Sequence, residues 1–305
     1  MKTAGSRLPA WQRNSDATAY LFLAPWIVGF TLFSGLPILA SFVLSLTHWD
    51  IIGSPIFIGL KNYVEMFSAG SSFSRILATT AEFTVLSVIV TMAWSLLMAV
   101  LLSKQRGKTA GFFQFFFFVP AVMPSVALAF VFQLIFNQDV GILNYVLGLF
   151  GVSAGPNWLM DRRLVVPSII FVCLFTYSTG QMMLIFLAAL KDVPKELYEA
   201  CELDGGGALK KFRHVTISSI SPIILFNLVI ATINALNGSF SIIYPLTDGG
   251  PALASEVISL DIYHQGFKSF RMGYASAVST VLFAIVAIVA WLQFRLSRKA
   301  VEYEN

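Results

Sequence analysis

Six stretches of this chain contain no Asp, Glu, Lys or Arg: residues 17–46, 83–103, 109–138, 164–190, 214–247 and 272–294. Each is long enough to supply the roughly 20 residues a helix needs to cross the hydrocarbon core of a bilayer. No water is available there to satisfy backbone N–H and C=O groups, so each stretch must fold as a helix that bonds to itself. Only 12% of the chain is charged, where soluble domains hold about a quarter. The expected fold class is all-α, a polytopic membrane protein with six transmembrane helices. Spans are expected at about 18–46, 77–103, 111–136, 165–190, 216–245 and 272–294. They make one membrane domain, 18–297, between polar tails 1–17 and 298–305. The first stretch is too long for a cleaved signal peptide and no small-residue cleavage site follows it, so it is expected to be retained.

Lys and Arg set the orientation. With both termini in the cytoplasm, the inside segments hold 14 of them and the outside loops hold 6. The net charge of +4 follows from this rim, so no nucleic-acid partner is expected. Cys173 lies in an apolar span and Cys201 in an inside loop, so neither a disulfide nor a metal site is expected from them. Pro25 and Pro37 predict a kink in span 1. Pro120 and Pro124 free backbone carbonyls in the middle of span 3, which is tolerated only beside a neighbouring helix or a wet cavity. Residues 59–67 predict a short helix on the outer membrane surface.

The inside loop 190–222 concentrates charge that the rest of the chain avoids: five basic and five acidic residues. A membrane protein with so charged a loop presents a surface to a soluble partner. Asp192 before Val193-Pro194 reads as the N-cap of a helix over KELYEACEL, 195–203. Leu197, Ala200 and Cys201 are expected on one face, with Glu196, Glu199 and Glu202 toward another. Glycines 205–207 end that helix, and a second over 208–217 leads into span 5.

ELYEACELDGG followed by FRHVTISSISP resembles the cytoplasmic EAA loop of ABC importer permeases. Glu199-Ala200-Cys201 stands for E-A-A and Asp204-Gly205-Gly206 for D-G-A. Cys201 replaces the second alanine, small for small, and Ser218 stands where the family has a proline. THWD (47–50), GLKNYVEMF (59–67), FVPAVMPS (118–125), FNQDVGILNYVLG (136–148), PNWLMD (156–161), LTDGGP (246–251) and FRMGYASAVS (270–279) resemble the carbohydrate-uptake subfamily. That subfamily includes maltose-type and glycerol-phosphate-type permeases.

The resemblance implies type I ABC importer permease architecture in the inner membrane of a bacterium or archaeon. It implies a second permease subunit as heterodimer partner, two cytoplasmic ATPases and an extracytoplasmic solute-binding protein. The loop 191–217 would couple to the ATPase through Glu199, Ala200, Cys201, Asp204 and Gly205. The chain is not expected to be an enzyme or to bind a cofactor, since it has no G-x-x-x-x-G-K-[ST] and ATP would sit on a partner.

Polar residues within spans are candidates for a solute path, although most bond their own backbone or a neighbouring helix. Ser125, Tyr177, Ser178, Gln181 and Ser239 fall at or near sugar-lining positions of maltose-type permeases, with Asn234 and Asn237 beside them. No Lys or Arg lies in the spans, which favours a neutral sugar or oligosaccharide over a polyol phosphate. An autonomous carrier or channel would need titratable groups along its path, and Glu82 alone lies in a span. An intramembrane enzyme would need a nucleophile–base pair, which Cys173 without a nearby His does not supply.

Overall fold

The computed structural model describes residues 15–105, 108–152 and 155–297, with the side chains of 15–18, 108–110, 177 and 297 outside that description. Span 1 is α1 (Ser15–Phe30), a π turn (Thr31–Gly35) and α2 (Leu36–Leu44). A π turn lies between the two prolines, and 19–44 runs on as one apolar helix. Pro37 lacks an N–H, and its ring would press on the carbonyl four residues back; the wider turn relieves that clash. Pro25 sits inside α1. Span 1 buries nothing of its most apolar window and meets span 6 edge-to-face through Phe42 and Phe283.

A two-stranded hairpin follows, with β1 (Thr47–His48) antiparallel to β2 (Ile56–Phe57). The predicted surface helix is α3 (Lys61–Met66). Met66 is buried with Phe73 and Ile258, while Val64 and Phe67 stay exposed, so the helix is pinned from one side. Span 2 is the single helix α4 (Phe73–Ser103).

Spans 3 and 4 are broken. Span 3 comprises α5 (Lys108–Phe118), a 3-10 turn (Pro120–Val122) and α6 (Ser125–Ile135), bent by 99°. Pro124 forbids helical geometry to Met123, whose backbone is extended at ψ 140°. The helix α7 (Ile142–Leu149) follows. Span 4 comprises α8 (Val165–Cys173) and α9 (Tyr177–Asp192), bent by 50°. There the freed carbonyl of Cys173 accepts hydrogen bonds from the hydroxyls of Thr176 (2.8 Å) and Thr179 (2.7 Å), as a break inside a membrane requires.

The elbow in loop 190–222 is α10 (Lys195–Leu203), α11 (Ala208–Lys210), a π turn (Lys211–Thr216) and α12 (Ile217–Ser219). Span 5 is α13 (Ser221–Asn237) and α14 (Phe240–Thr247), and the segment after it holds α15 (Ile258–Tyr263) with a π turn (His264–Lys268). Span 6 is α16 (Met272–Ser297). Among the described residues four helices are long and apolar enough to cross a membrane, and the number is six where each bent pair is counted as one span.

Two expectations for the elbow need correction. Asp192 is the last residue of α9 and not an N-cap; α10 starts at Lys195 after Pro194 without a side-chain cap. Pro194 drives Val193 out of helical geometry (ψ 122°), so the break falls one step later than the acid. The inward face of α10 is Tyr198 with Cys201, while Leu197 and Ala200 are exposed. An inner core of Met98, Leu102, Phe186, Leu187, Val193, Val215 and Ile220 takes up that inward face. The elbow is thereby packed onto the inner ends of spans 2, 4 and 5.

Candidate functional site

Two sites emerge, one at the elbow and one in mid-membrane. At the elbow, Glu199, Ala200, Asp204 and Gly205 are exposed and Cys201 is half-buried. Gly205 takes a left-handed conformation (φ +72°) and Gly206 N–H bonds back to Cys201 O at 2.8 Å, which stops the helix. A Cβ at Gly206 would collide with the Sγ and O of Cys201, whereas one at Gly205 would meet open space. The two glycines are thus required for different reasons. Tyr198 OH lies 3.1 Å from Thr216 Oγ1, and Lys211 donates to Glu202 at 2.7 Å, so α10 is tied to the π turn on both sides. The hydrogen bond and charge of Lys211 hold the Glu202 carboxyl below its ordinary range. Leu203 and Leu209 are exposed at 90% and 80%, an apolar surface beside the acids. A groove of about 1010 Å³ runs under the elbow between Asp192, Leu197, His214 and Ser218.

The mid-membrane pocket encloses about 240 Å³ where the breaks of spans 3 and 4 face spans 2 and 5. Ser125, Ser178, Asn234 and Ser239 line it together, which groups four of the seven residues singled out from the sequence. Gln181 and Asn237 are exposed and do not line it. Tyr177 opens α9, and its side chain lies outside the described residues. Ser87 and Thr91 of span 2 and Thr176, Thr179 and Cys173 of span 4 complete the wall with Phe83 and Ser241.

Sequence reasoning missed the span 2 contribution. Its signal was the row Thr80, Thr84, Ser87, Thr91 and Ser95, at helical spacings of three and four, which all prove buried. Most of these hydroxyls bond a backbone carbonyl: Thr91 to Ser87 O at 2.6 Å, and Ser95 across to Thr179 O at 3.0 Å. Ser239 differs. It is 4% exposed, lines the pocket, and its Oγ has no hydrogen-bond partner among the described residues. None of the residues lining the pocket is charged. Such a wall can hydrogen-bond a neutral polyhydroxy solute and stack it on a ring, but offers no counter-ion.

The family described as "Binding-protein-dependent transport system inner membrane component" matches residues 92–302. The chain is 32% identical over 296 residues to the probable ABC transporter permease protein YesP of Bacillus subtilis, covering 96% of this chain and 94% of that protein. It is 30% identical over 286 residues to the arabinooligosaccharides transport system permease protein AraP of the same organism, covering 93% and 90%. It is 32% identical over 287 residues to the sn-glycerol-3-phosphate transport system permease protein UgpA of Agrobacterium fabrum, covering 93% and 96%. Among solved structures, a chain of a bacterial alginate ABC transporter, crystallised with an alginate pentasaccharide-bound periplasmic protein, superposes with a TM-score of 0.83. The two are 21% identical, and the match covers 98% of this chain and all of that one.

Proposed function

The chain belongs to the family of binding-protein-dependent transport system inner membrane components, and from that premise we propose what it carries and how it is driven. It is a multi-pass permease subunit of an ABC importer with type I architecture, and not itself an enzyme. We infer that its solute is a neutral sugar or oligosaccharide. The observation that supports this reading is the mid-membrane pocket, where hydroxyls and an amide from four spans converge without a charge. Names among its relatives, arabinooligosaccharides and lactose, agree in chemical class. The UgpA relatives favour a second reading, a polyol phosphate. A phosphate would need Arg or Lys beside it, and this pocket lines none, so the charge would have to come from a partner subunit.

At about 240 Å³ the pocket falls below the usual range of ligand cavities, roughly 300–1,000 Å³. One chain therefore holds part of a site that a second permease, in a heterodimer, completes. Gln181 and Asn237, exposed on the single chain, would face the path between the two subunits.

Drive comes from two cytoplasmic ATPases that seat the elbow through Glu199, Ala200, Cys201, Asp204 and Gly205. Movement of α10 bears on the inner core through Tyr198 and Cys201, and that core includes Phe186 of α9 and Val215 and Ile220 leading into α13. These are the helices that carry Ser178 and Asn234, so a push at the elbow reshapes the pocket. The Lys and Arg distribution supports both termini and the elbow in the cytoplasm, with the hairpin and α15 facing the binding protein.

The test is purification from mild detergent through a tag after Asn305, with mass spectrometry of what accompanies the chain. An ATPase and a second six-span permease are expected. Recovery of the folded chain alone would overturn the importer reading in favour of an autonomous carrier.

A further inference from the structure

A charged network at the outer end of span 5 has no part in the pocket. Asp248 ends α14 in left-handed geometry (φ 48°), and the chain then turns back over 249–256. That turn brings Glu256 into the protein at 2% exposure, packed so closely on Gly249 that a Cβ there would strike its carboxyl. His264 stands between two carboxylates: Nδ1 lies 2.9 Å from Glu256 Oε1, and Nε2 lies 2.9 Å from Asp248 Oδ1. Lys268 Nζ donates to Asp248 Oδ2 at 2.8 Å and lies 3.2 Å from His264 Nε2. Tyr244 of α14 and Tyr263 of α15 meet edge-to-face beneath, with ring centroids 5.0 Å apart and Lys268 over both. The end of α14 is thus fastened to α15 by one imidazole and one ammonium. Ser241 and Ile242, less than two turns below on the same helix, line the mid-membrane pocket.

An imidazole satisfies two flanking carboxylates in two ways. It donates from both nitrogens as the imidazolium, or it accepts from protonated Glu256 and donates to Asp248. Both arrangements keep one proton between Glu256 and His264. Its loss leaves a buried carboxylate and a single N–H between two anions, which costs desolvation and repulsion together.

We propose that Glu256 and His264, with Asp248 and Lys268, form a proton-operated latch that pins the outer end of the pocket wall to α15. The latch stands on this network alone; its consequence for solute access rests on the reading of the pocket as the transport site. Burial pushes the Glu256 carboxyl up to about 7, against the pull of His264, with Asp261 and Asp248 adding to the rise. Desolvation also raises Asp248, but hydrogen bonds from Lys268 and His264 outweigh it and hold that carboxyl low. Asp261 is raised by burial, eased by Gln265, His264 and Arg271. Tyr244 and Tyr263 complete the titratable surroundings, and α4 meets the segment through Thr80, whose Oγ1 accepts from Ile258 N–H at 3.0 Å. A raised carboxylate stabilises the latched state below its ordinary value, and that stability is lost as pH rises through the latched value near 7. Acid closes the latch and neutral to alkaline pH loosens it.

Hydrogen exchange tests this without knowledge of the solute. The full chain, purified with the subunits that accompany it, is followed at residues 249–264, with protection corrected for the intrinsic rate at each pH. Protection is expected to fall at least about threefold between about pH 5 and pH 8. In Glu256→Gln the profile should be flat. In His264→Gln the carboxylate loses the ring that shares its proton, so the midpoint should move. A flat wild-type profile, or an unchanged fall in Glu256→Gln, overturns the latch. If Glu256→Gln does not assemble, an unmoved midpoint in His264→Gln overturns it. A charged or phosphorylated solute would defeat the sugar reading and leave this profile untouched.

Discussion

Ser239 is buried in span 5 with its hydroxyl unpaired among the described residues, and a buried polar group left so costs about 1–3 kcal/mol. Ser239 also lines the pocket, so its hydroxyl is available to a solute there. Ser239→Ala is therefore expected to leave the melting temperature unchanged or raise stability by up to about 1 kcal/mol while lowering uptake. Lower stability with normal uptake would return Ser239 to an ordinary structural role. At the elbow, Glu199→Lys reverses an exposed charge at the proposed ATPase contact, a change worth about 2–5 kcal/mol where a buried interface pair is broken. Uptake should be abolished with the protein still in the membrane. Gly205→Asp should do the same, since Gly205 is exposed and left-handed. Gly206→Ala acts internally: its methyl meets Cys201, an overpacking of about 1–3 kcal/mol, and proteolysis of the elbow should report it.

The broken helices carry the argument at the level of elements. A straight span 3 would carry α6 on in line with α5, away from the 99° bend at which Ser125 lines the pocket. Pro124 withholds an N–H and denies Met123 a helical conformation, so it holds that bend open. Gly180 lets α9 approach the bend, since a Cβ there would lie 2.5 Å from the Ala121 Cβ. Pro124→Ala is expected to cut transport per inserted molecule well below wild type, with a smaller change in thermal stability. Wild-type uptake from that variant would remove the bend from the mechanism. The elbow has the opposite design: short helices, glycines at 205 and 206 and a shared core pack it as one piece.

For the molecule as a whole, orientation decides which end meets which partner. Ile52, at the tip of the hairpin, is 97% exposed, and Cys201 is half-buried at the elbow. A membrane-impermeant maleimide should label Ile52→Cys (made with Cys201→Ser) in right-side-out vesicles, and native Cys201 only in inside-out ones. The reverse pattern would invert the topology and detach the elbow from any cytoplasmic ATPase. Span 1, unburied and touching span 6 at one edge, leaves a broad apolar flank for lipid.

Composition and charge spacing determined the class and the six spans, because a bilayer leaves a backbone only one way to satisfy itself. Local chemistry determined the stop at Gly205 and the stress at Pro120 and Pro124. The EAA-like string marked the elbow, because its helix, its charges and its glycine stop are continuous in sequence. What only the tertiary structure decided is which polar residues meet. Ser125, Ser178, Asn234 and Ser239 come from three spans, and nothing local distinguishes them from Gln181 and Asn237, which face outward. The hydroxyl row of span 2 and the Glu256–His264 contact were equally hidden. A pocket is made where helices cross and break, and a buried carboxylate finds its histidine across a turn whose course no neighbouring residue dictates.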